Sequence, residues 1–359
     1  MRSLTNFIVI VAIATTIIFF GCHQEPKEIK IGAVLPLTGI ASAMGEHARQ
    51  GLELAIVDVN DKGGLNGKKI KLIIEDGASD PKISVSALKK LIEVDKCKIN
   101  VTFLSSVSLS LAPIADKSRT ILFANTTHPG ISGISPYVFR HGNTAQQEAE
   151  VISSFLGDSL KSKQIAIVSI NDDYGVAFSE AVEKASRNKG IEIVEKILYE
   201  KTEIDFRTIV KKAILKKPDC VVVAGFGKGL GLLVKRLREI KYRGSILSQL
   251  TFTLSDAALA AGDAARGVYY TELVFSGTEY DSFKERYFKK YNTTAITAEV
   301  PLFYNTILLL TEAMKTVGYD PEKIKETVRQ MSQFQGLGEI LTIQPNGDIL
   351  PQIKVAVYR

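Results

Sequence analysis

The chain has 359 residues, with 45 basic and 39 acidic side chains for a formal charge of +6, a 45% hydrophobic share, 27 glycines and 11 prolines. These shares exclude a disordered or fibrous chain, and the length exceeds one average domain and suits two. The basic excess is mild and spread along the chain, without a dense stripe or interleaved aromatics, which speaks against a nucleic-acid partner.

Residues 1–21 stand apart. One early charge, Arg2, precedes an uncharged apolar run over 7–20 and then Gly21-Cys22. This is the pattern of a secretory signal, and the run is shorter than the roughly 20 residues a membrane span needs. A small residue followed by Cys also resembles the lipobox of bacterial lipoproteins, although Phe19 and Phe20 depart from its usual form. The resemblance implies acylation of Cys22, with 22–28 as a polar tether to a membrane surface. Cys97 and Cys220 fall in different halves of the chain and are expected to stay unpaired.

Ile31, Ala33, Val34 and Leu35 read as a buried strand, and Ala48, Leu52, Ile56 and Val59 then recur at helical spacing. Between them, a small and polar loop from Leu37 through Ser42 and Met44 to Gly45 sits at a strand end and helix start, where open α/β sheets bind ligands. A strand over 69–75 follows, then a helix after Pro81 with Val85, Leu88, Leu91 and Ile92 inward. Next come a strand over 99–104, a short helix to 116 and a strand over 120–124. A second series has a helix over 146–157, a strand over 164–170, the loop Asn171-Asp172-Asp173-Tyr174-Gly175 and a helix over 176–189. It continues through strands at 192–199, 218–224 and 267–275 and helices at 205–216 and 227–241. The pattern is helical again from Tyr280, with Phe283, Tyr287 and Tyr291, then over 300–317 and 321–331, and the tail from 337 reads as strands around the turn Pro345-Asn346-Gly347-Asp348. Strands alternating with helices at this spacing imply two successive α/β units with parallel, doubly wound sheets. A tail returning to strand suggests that the chain recrosses between them.

The run Gly225-Phe226-Gly227-Lys228-Gly229-Leu230-Gly231 misses both the dinucleotide template, where Leu230 stands at the last glycine position, and the phosphate-loop template, where Gly229 follows the lysine. It reads as a flexible strand-helix turn. His23, His47, His128 and His141 share no spacing that suits a metal. No G-x-S-x-G elbow occurs, and Asp172-Asp173 reads as a solvated loop. No cofactor, metal or catalytic set is expected.

With both series in view, the chain resembles the branched-chain amino-acid type of periplasmic solute-binding protein, the receptor of an ABC importer. The resemblance is carried by the L-T-G and M-G-E of 32–51, by 56–67 (IVDVNDKGGLNG), 76–81, the serines of 105–110, 126–129, 137–140 (YVFR), 172–175 (DDYG), Asp205-Phe206 and 217–219 (KPD). It implies the type I periplasmic binding fold: α/β, two Rossmann-like doubly wound parallel-sheet lobes joined by a three-segment hinge. The expected lobes are 29–142 plus 276–331 and 143–275 plus 332–359, with crossings near 141–146, 276–279 and 332–337.

The same resemblance implies that Ser105 and Ser106, at the start of a helix whose cap is expected to be Ser108, hold a ligand carboxylate with hydroxyl and backbone N–H groups. It places Thr126 and Thr127 at the next strand end, and Met44, Tyr174 and Phe226 over the ligand. Where the family's amino-acid binders carry an acid against the ligand ammonium, this chain has Leu250. Burying an ammonium without a counter-charge costs several kcal/mol, so a small carboxylate or amide with an apolar body stands beside an amino acid as the expected ligand. The implied partners are that ligand, the permease and ATPase subunits of the importer, and a membrane reached through lipid on Cys22. The chain is expected to be monomeric and non-enzymatic, and the alternative is a ligand-sensing ectodomain using the same cleft.

Overall fold

The computed structural model describes residues 28–359. The signal segment, Cys22 and the tether up to residue 27 lie outside the described residues. Among these residues no helix is long and apolar enough to cross a membrane.

The first unit starts with β1 (Glu28–Leu35), α1 (Ser42–Asp61), β2 (Lys69–Asp76), α2 (Pro81–Glu93), β3 (Ile99–Phe103), α3 (Ser105–Ser118), β4 (Ile121–Asn125) and β5 (Val138–His141). In β1, Ile31, Ala33 and Leu35 enter one core and Val34 enters another, so the strand is buried on both faces and flanked by helices on both sides. Turn chemistry fixes the helix starts. Asp80 caps α2 by accepting from the N–H groups of Lys82 and Ile83, with Pro81 at the first helical position.

The second unit runs through α4 (Ala145–Ser154), β6 (Gln164–Ile170), α5 (Asp173–Asn188), β7 (Glu192–Tyr199), α6 (Arg207–Ile214), β8 (Cys220–Ala224), α7 (Gly227–Glu239) and β9 (Ser245–Ser248). Two short helices, α8 (Thr251–Leu254) and α9 (Ala257–Ala261), precede β10 (Tyr269–Leu273). The chain then returns to the first unit with α10 (Thr278–Tyr291), α11 (Glu299–Val317) and α12 (Pro321–Gln330). Helix α11 packs along α1, and the two share the larger core.

Sheet order in the first lobe is β11-β12-β13-β5-β4-β3-β1-β2, where β11 is Gln333–Gln335, β12 is Ile340–Ile343 and β13 is Asp348–Leu350. The second lobe is ordered β14-β10-β9-β8-β6-β7, with β14 at Ile353–Val357. The doubly wound parallel core is as expected, extended by antiparallel strands at one edge of each sheet.

The tail corrects the expected layout. Residues 333–350 join the first sheet through the pairing of β13 with β5, and only β14 joins the second. The first two crossings lie near 142–144 and 274–277, but the third is Pro351-Gln352, not 332–337. The cause is a buried pair. Asp348 stands beside Arg140 in register, Arg140 Nε donates to Asp348 Oδ1 at 2.9 Å, and Nη2 lies 2.7 Å from Oδ2. A guanidinium sealed from solvent requires that partner, so the turn carrying Asp348 is drawn onto β5.

Candidate functional site

In each sheet the strand order reverses once along the chain: between β1 and β3 in the first lobe, and between β6 and β8 in the second. Crevices open outside the carboxyl ends of strands at such switch points. The loops leaving β1, β3, β4, β6 and β8 are therefore the candidate site, and they hold Ser105, Ser106, Thr126, Thr127, Tyr174 and Phe226.

On the first lobe, β3 turns into α3 at Leu104, whose φ of +70° is left-handed. Such strain in a non-glycine residue persists only where the surroundings enforce it. Helix α3 has no side-chain cap, so the N–H groups of its first turn are left for another acceptor. Ser108 is thus not the expected cap. It lies a turn inside, wholly buried, with an unpartnered hydroxyl, because the helix begins at Ser105. Ser105 Oγ is hydrogen-bonded to Thr126 Oγ1 at 2.6 Å, joining the ends of β3 and β4. Ser106 is half-buried and its carbonyl accepts from Ser110 Oγ. The Thr127 hydroxyl oxygen is inaccessible and has no partner, while its carbonyl accepts from Ala145 N across the first crossing.

On the second lobe, Asp172 caps α5 by accepting from Gly175 N at 2.9 Å. Gly175 is obligatory, since a Cβ there would lie 1.9 Å from the Ile170 carbonyl oxygen. This turn seats Tyr174, whose ring lies 5.0 Å from that of Phe226 and 6.1 Å from that of Phe178. Burial, with Glu148 and Asp172 nearby, holds the Tyr174 phenol well above its usual range against the Thr251 hydroxyl beside it, and the phenol makes no well-aligned hydrogen bond. The glycine run after β8 serves close approach. A Cβ at Gly225 would meet the Tyr199 hydroxyl at 1.8 Å, and Gly227 takes φ +53° with the Ile40 carbonyl oxygen of the other lobe 2.9 Å from its Cβ position.

The lobes therefore face one another across these loops. A hollow of about 470 Å³ is lined by Gly39, Ile40 and Ser42 from the first lobe and by Tyr199, Phe226 and Gly227 from the second. A smaller one of about 270 Å³ brings Leu250 and Leu254 to Ile296, Thr297 and Ala298. Of the residues singled out from sequence, Phe226 lines the first and Leu250 the second. Ser105, Thr126, Met44 and Tyr174 are buried. Met44 joins the first-lobe core and Tyr174 the second, while Phe226 packs against both. A larger hollow, about 680 Å³, lies on the first lobe around Asp58 and Arg286 and holds none of these groups. Its central pair is already engaged, for Asp58 accepts from Arg286 at 2.8 and 2.6 Å and from the Tyr304 hydroxyl at 2.6 Å.

Sequence reasoning missed Glu148. It is fully buried on α4 and accepts from Asn143 Nδ2 at 3.0 Å, from Leu250 N at 2.9 Å and from the Thr271 hydroxyl, pinning Leu250 to the hinge. Burial pushes its carboxyl upward, against those donors. The available signal was an acid on the same helix face as Ala145, Ala149 and Ile152. Among the described residues no cluster of His, Cys, Asp or Glu could hold a metal, and Cys97 and Cys220 are free and buried.

Two doubly wound lobes with facing switch points and a three-strand connection define a bilobal protein built around a cleft. The chain belongs to the periplasmic binding protein family, whose family model, described as "Periplasmic binding protein", matches residues 28–354. It is 25% identical over 347 residues to a Leu/Ile/Val-binding protein homolog 1 of Brucella abortus, covering 94% of this chain and 91% of the relative. Among solved structures, a leucine-binding protein of Thermotoga maritima superposes with a TM-score of 0.85 at 23% identity, covering 92% of this chain and 95% of that one. An ABC-transporter solute-binding protein of Rhodopseudomonas palustris, in complex with 3,4-dihydroxybenzoic acid, superposes at 0.83 and 22% identity, covering 93% of each chain. These relationships bear out the expected family and two-lobed fold.

Proposed function

We propose that this chain is the extracytoplasmic receptor of an ABC importer, capturing a small amino acid or carboxylate between its lobes and presenting it to a permease. The observation that carries this reading is the pairing of unused donors on facing loops: the uncapped start of α3 with the unpartnered Thr127 hydroxyl on one lobe, and the Tyr174 phenol on the other. A helix start with free N–H groups suits an anion without a formal positive partner. Ser105, Ser106, Thr126 and Thr127 form the carboxylate end, while Met44, Tyr174, Phe226 and Leu250 enclose the apolar body. The family relatives include proteins named for leucine and one bound to an aromatic acid, two ligands that share a carboxylate and an apolar body.

The reading is of binding without turnover, since the facing loops offer hydroxyl and N–H donors to a ligand. Ligand that contacts both lobes favours the closed form, and only its differential affinity for that form shifts the equilibrium. Export and lipid attachment through Cys22 would hold the receptor near its permease. A thermal-shift screen of amino acids, aliphatic acids and aromatic acids tests the reading. Ligand at 100 times its Kd adds about 2.7 kcal/mol of stability. Stabilisation by one such class supports the proposal, and no response from any class at millimolar concentration refutes it.

A further inference from the structure

Glu299 opens α11 and is wholly buried, and neither of its carboxylate oxygens has a hydrogen-bond partner. The Thr297 hydroxyl beside it acts on this carboxyl without forming a well-aligned hydrogen bond, and the buried Nδ1 of His47 on α1 also lacks a partner. No lysine or arginine among the described residues pairs with Glu299. The ionisable group that faces it is Tyr287 on α10, while His47 on α1 faces Glu46 and, from the second lobe, Asp256. An isolated carboxylate in such a place costs several kcal/mol if ionised, and burial accordingly pushes this carboxyl well above its usual range. Protein interiors rarely leave such a group unmatched.

Its position ties it to the cleft. The Val300 carbonyl oxygen lies 2.3 Å from where a Gly51 Cβ would stand, which locks the first turn of α11 against α1. One turn on, the Phe303 ring lies 5.0 Å from that of Phe103, the last residue of β3 before Leu104 and Ser105. Thr306 donates to Asn125 Oδ1 at 3.3 Å, at the end of β4 just before Thr126 and Thr127. Glu299 thus stands on the element that crosses the strand ends carrying the carboxylate-binding loops. The residues immediately before it, Ile296 to Ala298, share their hollow with Leu250 of the second lobe. Leu250 is where a counter-charge is expected and an apolar side chain is found.

We propose that Glu299 binds the positively charged nitrogen of the ligand, so that this chain takes an amino acid, with its counter-charge supplied from the first lobe at Glu299 instead of from the second at residue 250. This rests on the receptor reading above and narrows it. In the empty protein burial favours the protonated form of Glu299. When the ammonium docks beside it, the O–H bond breaks, the proton leaves to solvent, and an ammonium-carboxylate pair remains, with the Thr297 hydroxyl free to donate to it.

Calorimetry on the full chain with matched probes tests this: L-leucine against 4-methylpentanoate, and L-phenylalanine against 3-phenylpropanoate, each in phosphate and in Tris buffer. The expected result is at least tenfold tighter binding of the amino member of one pair, with about one proton released per ligand, read from the difference between buffers. Glu299→Gln is expected to abolish both the preference and the proton release, while changing the affinity of the deaminated acid less than threefold. Glu299→Met serves as a second variant of similar volume that removes all hydrogen bonding, with the same expected result. A preference of the wild type for the deaminated acids, or an unchanged preference in folded Glu299→Gln, overturns this assignment alone. Binding of no probe overturns it together with the receptor reading.

Discussion

Replacing Asp348 by Asn is expected to destabilise the protein by roughly 3–5 kcal/mol, because it leaves the Arg140 guanidinium buried without its charge partner. Arg140 has no exposed surface, its Nε–Oδ1 and Nη2–Oδ2 distances are 2.9 and 2.7 Å, and its Nη1 has no hydrogen-bond partner at all. At these distances two unit charges interact by about 6 kcal/mol even at an effective dielectric of about 20, the same order as the cost of breaking a buried pair. With a urea m-value of about 2–3 kcal/mol/M, the unfolding midpoint is expected to fall by roughly 1–2 M, followed by circular dichroism. Burial works against ionisation of Asp348, but its bonds to Arg140 outweigh this and hold the carboxyl below the usual carboxylate range. A depressed acid contributes stability above its unfolded pKa and loses it only as pH falls through the folded value, so the gap between wild type and variant should persist at about pH 4.5. Arg140→Met combined with Asp348→Leu removes both charges and is expected to recover at least half of the loss. A midpoint shift under about 0.3 M for Asp348→Asn at unchanged m would refute the claim that this pair draws the tail onto the first sheet.

Gly175→Ala is expected to lower both stability and ligand affinity, since its Cβ would sit 1.9 Å from the Ile170 carbonyl oxygen and displace the turn carrying Tyr174; overpacking of this kind costs about 1–3 kcal/mol, and wild-type affinity in the variant would show that the turn does not seat the site. Thr127→Val removes a hydroxyl that bonds nothing in the protein, so the urea midpoint should hold while calorimetry shows ligand affinity reduced by roughly tenfold. Burial lowers the His141 imidazole from 6.5 to about 3. Below about pH 6.5 the unfolded chain then binds a proton that the folded chain refuses, so stability falls with pH by up to about 1.4 kcal/mol per unit, and His141→Gln should flatten that slope in urea titrations between about pH 7 and pH 5.

Much of the fold was legible because both signals it depends on are local. Apolar strands such as Cys220–Ala224 and helices with one inward face follow from side-chain periodicity, and turn residues such as Asp172 and Gly175 punctuate them. Length defeated two shorter strands, Val138–His141 and Ser245–Ser248, since four residues carry too little alternation. The third crossing was misplaced for a non-local reason. Gln333–Gln335 is polar on its own, and its place is decided by a pairing 208 residues apart, between Arg140 and Asp348. Ser108 looked like a cap by residue type, but Leu104 entering left-handed space starts the helix four residues earlier. Residue types pointed to the serine and threonine loops, whereas Glu148, among Gln146, Gln147 and Glu150, and Glu299, ahead of an apolar run, were hidden because only burial distinguishes each from a surface acid.

The central claim is that a small molecule is held between the two lobes, its acid end on the loops after β3 and β4. A crystal structure of the complex with the most stabilising compound from the thermal-shift screen tests it most directly. The expected result is density touching both lobes, with a carboxylate within about 3 Å of Thr127 Oγ1 and of the first N–H groups of α3, and with Tyr174 and Phe226 against its body. Density confined to one lobe, or seated in the hollow by Asp58 and Arg286, would contradict the account.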